Sequence, residues 1–97
     1  MQIKWSKSAV KQLLEIIEYL EKQDQIDYAV SLEKQILNEI NLLIYRKNIH
    51  QADRIKHDND GSFYAFEIDS YRISYRKMPD EIRILRIRHI SRKPFTK

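Results

Sequence analysis

At 97 residues, 42% apolar and 33% charged, with one glycine and two prolines, the chain suits a single domain over 1–97 and excludes collagen-like, low-complexity and wholly disordered classes. It has no cysteine, which excludes a disulfide scaffold and thiolate chemistry, and three isolated histidines make a poor structural zinc site. The net charge of +4 is uneven: residues 71–97 hold nine Lys or Arg against Asp80 and Glu81, a balance of +7, whereas residues 1–70 balance at −3. That split fits an anionic partner, or a solvated strand face with a basic tail.

Gln2 to Trp5 reads as a short strand with Ile3 and Trp5 on one side. Ser6 is placed to cap a helix. Ala9, Val10, Leu13, Ile16, Ile17 and Leu20 follow at helical spacing, with Lys7, Lys11, Glu15, Glu18 and Glu21 mostly opposite. Asp24 is expected to cap a second helix. Ile26, Ala29, Val30, Glu33, Ile36, Ile40 and Leu43 trace its stripe, widened by Leu32, Leu37 and Ile44. The short Lys22-Gln23-Asp24 link implies an antiparallel hairpin, with its end expected near Asn48.

The periodicity then changes to alternation. Arg54 to His57 is a candidate short strand, and Asn59-Asp60-Gly61 is the strongest turn signal. Phe63 to Ile68 is rich in aromatic and β-branched residues, and Asp69-Ser70 suits a two-residue turn. Tyr71, Ile73 and Tyr75 alternate with Arg72, Ser74 and Arg76, the pattern of a half-buried strand. Met78-Pro79-Asp80 turns the chain again, and Ile82 to His89 is the last strand. Its alternation breaks at Ile84-Leu85, which predicts a bulge or burial on both faces. Ser91 to Lys97 reads as a tail. The order β-α-α-β-β-β gives an α+β fold: an N-terminal strand, an antiparallel helical hairpin, then an antiparallel meander. The hairpin is expected to cover one sheet face and to leave the other solvated or reserved for another chain.

The longest apolar runs, such as Ile40 to Tyr45 interrupted by Asn41, are too short to span a bilayer, and the opening residues lack the apolar core of a signal peptide. A soluble cytoplasmic protein is expected, with no membrane association. Phosphate loops, metal-ligand spacings and nucleophile motifs are missing too, so neither metal nor cofactor is expected.

The chemistry concentrates on the last two strands. Arg72, Ser74 and Arg76 share one face by parity, as do Arg86 and Arg88, and Arg92 follows. Such guanidiniums suit phosphates or the carboxylates of an acidic protein. His89 is the histidine beside this cluster; it suits either general acid–base work in RNA cleavage or a structural role at a strand end. Tyr75 reads as core by its parity with Ile73, with base stacking as the other use. Arg72 is expected to pair with Glu67 or Asp69, and Glu67 itself reads as a cross-strand ion-pair partner or a base.

Four stretches together resemble the RelE/ParE family of type II toxins. Ile3-Lys4-Trp5-Ser6-Lys7-Ser8-Ala9 is similar to the family's first strand running into helix one, and the hairpin follows. Phe66 to Arg76, with Tyr71-Arg72-Ile73-Ser74-Tyr75, resembles its signature strand. Ile84 to Arg92 resembles its closing strand with a terminal His89-x-x-Arg92. The resemblance implies a toxin encoded beside an antitoxin whose flexible C-terminal segment wraps and neutralises it, giving a hetero-oligomer.

His89-x-x-Arg92 is closer to the ParE, plasmid-stabilisation side, whose characterised members poison DNA gyrase without being enzymes. On that reading the basic cluster of Arg72, Arg86, Arg88, His89 and Arg92 is the expected target-binding surface, with no catalytic residue. The RelE side cleaves mRNA on the ribosome, often with a C-terminal tyrosine; on that alternative Arg72, His89 and Arg92 are the catalytic set. No tyrosine follows Tyr75 here, and Phe95 has no phenol. A non-toxic binding module of the same fold is the third reading.

Overall fold

Ser6 joins the first strand to the first helix, and its surroundings set the architecture. The computed structural model describes residues 2–45, 51–52 and 60–91. Its elements are β1 (Gln2–Trp5), α1 (Lys7–Lys22), α2 (Ile26–Leu42), β2 (Gln51–Ala52), β3 (Phe63–Ile68), β4 (Tyr71–Lys77) and β5 (Glu81–His89). They form a five-stranded sheet in the order β1-β5-β4-β3-β2. The α+β fold is as expected, with its strand, helical hairpin and antiparallel β3-β4-β5 meander. Two features add to it: β1 pairs in parallel with β5, and the two-residue β2 extends the far edge. The Arg54–His57 strand and the Asn48 boundary fall outside the described residues.

Helix α1 starts where the sequence places it, with the Ser6 side chain accepting from the Ala9 N–H at 3.0 Å. Asp24 does not cap α2. It has φ +59°, its N–H donates to the Glu21 carbonyl, and the Gln25 N–H donates to the Leu20 carbonyl at 2.8 Å. This pair of bonds, closed through a left-handed residue, is a Schellman ending of α1. Aspartate fits because its short polar side chain tolerates that conformation better than most. Helix α2 therefore begins after Gln25, with no side-chain cap bond.

The hairpin covers one sheet face. Leu32, Ile36 and Ile40 of α2 meet Ile73, Ile82, Ile84 and Ile87 of the sheet, all at most 1% exposed. Ala9, Leu13 and Leu20 of α1 complete the core, and Ile3 and Trp5 pack against it. Each such large side chain contributes about 1.5–3 kcal/mol by leaving water. Tyr75, read as core, is 4% exposed. Ile26 and Val30, read as part of the α2 stripe, are instead 56% and 58% exposed. They sit on one flank of α2, beside the buried stripe of Ala29, Leu32, Ile36 and Ile40.

A β-bulge sets which side chains of β5 face the core. Ser74 pairs with Arg86 but Tyr75 pairs with Ile84, so Leu85 is an extra residue. Because side chains alternate with period two, one inserted residue reverses the phase. Ile82 and Ile84 face inward before the bulge, and Ile87 faces inward after it. The broken alternation at Ile84-Leu85 is that bulge.

Strand β1 pairs only with Glu81 to Ile84. Beyond it α1 takes over the β5 edge: the Ser6 hydroxyl donates to the Leu85 carbonyl at 2.9 Å, and the Ile87 N–H donates to Gln12 Oε1 at 2.8 Å. Buried backbone groups require partners, and the helix supplies two of them here.

Candidate target-binding face

The bulge and the strand register place the functional candidates on two different faces. Arg72 stands opposite Arg88, Ser74 opposite Arg86, and Arg76 opposite Arg83. On the other side Glu67 stands opposite Arg72, Ala65 opposite Ser74, and Phe63 opposite Arg76. Lys4 of β1 is in register with Arg83. All lie on the sheet face away from the helices, which no described element covers.

Arg72, Arg86 and Arg88 of the expected set thus come together. Arg76, Arg83 and Lys4 join them. Parity marks Arg76 in the sequence, but Arg83 needs the bulge and Lys4 needs the parallel β1–β5 pairing, which no local pattern signals. Arg92 lies outside the described residues.

His89 is not brought to this face. It is in register with Tyr71, and their rings meet edge-to-face at 5.1 Å on the helix side. Its Nδ1 accepts from the Ser91 N–H at 3.2 Å and lies 2.7 Å from Ser91 Oγ. Adjacent residues of a strand point oppositely, so Arg88 and His89 cannot share a surface.

Acidic neighbours engage four of the six cations. Arg72 meets Glu67 at 3.6 Å, the pairing anticipated for both residues. Arg76 meets Asp60 at 3.5 Å. Arg83 and Lys4 share Glu81, at 2.7 and 3.7 Å. No described carboxylate comes within ion-pair distance of Arg86 or Arg88. The Arg76 corner is further ordered by its Nε–H donating to Ser62 Oγ at 3.0 Å and by its guanidinium lying 4.8 Å from the Phe63 ring centre. Ser62 Oγ and N–H both donate to Asp60, and these bonds, with the Arg76 cation, hold the Asp60 carboxyl below its ordinary range.

The phenols lie elsewhere. Tyr64 and Tyr75 stack with ring centres 5.6 Å apart on the helix side. Burial, the neighbouring Tyr64 and Glu39 push the Tyr75 hydroxyl upward, so it stays protonated. The Tyr28 hydroxyl donates to Asp69 Oδ2 at 2.8 Å; burial and this bond raise it from 10 to about 12. Among the described residues, therefore, the arginine face offers neither histidine nor tyrosine. Guanidiniums stay charged throughout the physiological range. Such a face can hold an anion, and its one half-exposed carboxylate beside Arg72, Glu67, is engaged as an ion-pair partner.

Among the described residues, no group of three or more His, Asp or Glu could hold a metal ion. No helix there is long and apolar enough to cross a membrane.

The sequence profile of the ParE toxin of the type II toxin-antitoxin system parDE matches residues 3–94. The chain belongs to the ParE toxin family. A solved chain of the chromosomal ParDE system from P. aeruginosa has the same fold as this ParE toxin, with a TM-score of 0.71 and 22% identity. The match covers 93% of this chain and 96% of that one. A comparison with curated proteins finds no match. The ParE profile runs through β1, the hairpin and the meander, so it includes every cation of the outer face.

Proposed function

We propose that this ParE toxin inhibits DNA gyrase by binding, through the arginine face of its sheet, and that a cognate antitoxin neutralises it in the cytoplasm. One observation carries the choice of binding over catalysis. Arg72, Arg86 and Arg88 share the outer face, while His89 lies on the other side against Tyr71. On the endoribonuclease alternative His89 would work as acid or base beside the guanidiniums, and this register separates it from them. Arg92, which continues the same basic run of sequence, is assigned to the same target contact.

Exposed apolar side chains on the hairpin support an antitoxin partner. Val10 and Leu14 are 43% and 61% exposed and line a groove with Trp5. Lys7, Lys11, Glu15 and Glu18 flank it. An amphipathic partner helix suits such a groove. The P. aeruginosa neighbour comes from a ParDE system, which supports the same kind of partner.

The test is a supercoiling reaction with purified gyrase. The toxin should reduce supercoiling or trap cleaved DNA, and the antitoxin from the adjacent reading frame should reverse this. Site-specific mRNA cuts that require ribosomes, with gyrase unaffected, would replace this reading with the endoribonuclease. A chain harmless on expression would favour the non-toxic module.

A further inference from the structure

We infer that the outer sheet face binds the phosphodiester backbone of duplex DNA, independently of base sequence. The inference rests on the proposal that this face is the target contact, and it names DNA, alongside gyrase protein, as what the face touches.

The charge count comes first. Six cations, Lys4, Arg72, Arg76, Arg83, Arg86 and Arg88, share a face with three carboxylates, Asp60, Glu67 and Glu81. The carboxylates engage four of the cations and leave Arg86 and Arg88 with no described acidic partner. Arg86 is exposed and Arg88 half-buried.

Spacing comes next. Arg86 and Arg88 are two residues apart on one strand, about 6.8 Å, and Arg72 stands one strand away from Arg88, about 4.8 Å. Arginines rooted this closely on adjoining strands match a ligand whose charges are themselves closely spaced. Duplex DNA presents one charge per roughly 1.7 Å of axis.

The aromatic side chains narrow the kind of nucleic acid the face suits. Single-stranded nucleic acid needs aromatic platforms for its bases. Phe63 lies under the Arg76 guanidinium, and the Tyr64–Tyr75 stack is on the helix side. Among the described residues the face thus offers cations rather than stacking platforms, which suits contact with a duplex backbone.

Fluorescence anisotropy of short labelled duplexes of unrelated sequence, titrated with the purified full chain, tests this. Binding should be equal across sequences, with log K falling linearly in log salt between about 0.05 and 0.2 M. An Arg86→Gln, Arg88→Gln variant of unchanged thermal stability should bind at least tenfold more weakly. Its salt slope should be shallower by about 1.8, the loss of two phosphate contacts. No binding at the lowest salt, a slope unchanged in the variant, or stronger competition by poly-glutamate than by unlabelled duplex would overturn the inference. Equal or tighter binding of duplex RNA would overturn the choice of DNA. Gyrase inhibition without DNA binding would sink this inference and leave the proposed function standing. DNA binding without gyrase inhibition would do the reverse.

Discussion

The Ser6 hydroxyl donates to the Leu85 carbonyl at 2.9 Å while accepting from the Ala9 N–H at 3.0 Å. One oxygen therefore ties the start of α1 to the bulge that phases β5. Replacing Ser6 with alanine removes the helix cap and leaves the Leu85 carbonyl with one partner fewer. Ser6→Ala should cost about 1–3 kcal/mol. For a domain of this size each kcal/mol lowers the melting temperature by about 4–8 °C. Thermal unfolding reads it directly, and a variant melting with the parent would show that the hydroxyl does neither job.

Deleting Leu85 should leave the fold intact. Leu85 is the extra residue of the bulge, so without it Ile84 still stands opposite Tyr75 and Arg86 opposite Ser74, and β5 alternates regularly with Ile82, Ile84 and Ile87 inward. The deletion loses the Leu85 carbonyl that accepts from the Ser6 hydroxyl, at a cost of about 1 kcal/mol. Circular dichroism melts should show a cooperative transition, lowered modestly; a deletion variant with no cooperative transition would contradict the assignment of Leu85 as the extra residue.

Tyr28 ties α2 to the β3–β4 turn through Asp69, whose φ is +54°. A positive φ belongs at the first position of such a two-residue hairpin. The Tyr28 hydroxyl is raised from 10 to about 12, so the folded state favours its protonated form. The stability this contributes is complete below pH 10 and is lost as pH rises from 10 towards 12. Tyr28→Phe should lose about 1 kcal/mol at neutral pH. The difference between parent and variant should shrink across that alkaline range in denaturant melts. A constant difference would place the stabilisation elsewhere.

Most of the fold was legible because its signals are local. Ser6 precedes a helical period, Tyr71-Ile73-Tyr75 alternates cleanly, and the doubled apolar pair Ile84-Leu85 marks the bulge. Asp24 misled because aspartate serves helix starts and left-handed helix ends alike, and only the Leu20 and Glu21 carbonyls decide between them. Strand β2 has two residues, too few to carry a period.

The candidate face was half legible. Parity groups Arg72 with Arg76 and Arg86 with Arg88, but proximity in sequence drew His89 into the same cluster. The period of two sends it to Tyr71 instead. Lys4 and Arg83 join through a parallel pairing between residues far apart in the chain, a relation that depends on the whole topology.

The measurement that bears most directly on the arginine face as the toxin's working surface is growth inhibition by expressed variants, each matched by a thermal melt. Arg86→Gln with Arg88→Gln should abolish toxicity at unchanged stability, since neither arginine has a described ion-pair partner to lose and glutamine keeps a polar side chain on the outer face. His89→Gln should retain toxicity, because a binding contact on the opposite face asks nothing of its ring. Full toxicity in the double variant, or loss of toxicity in a stably folded His89→Gln, would contradict the account.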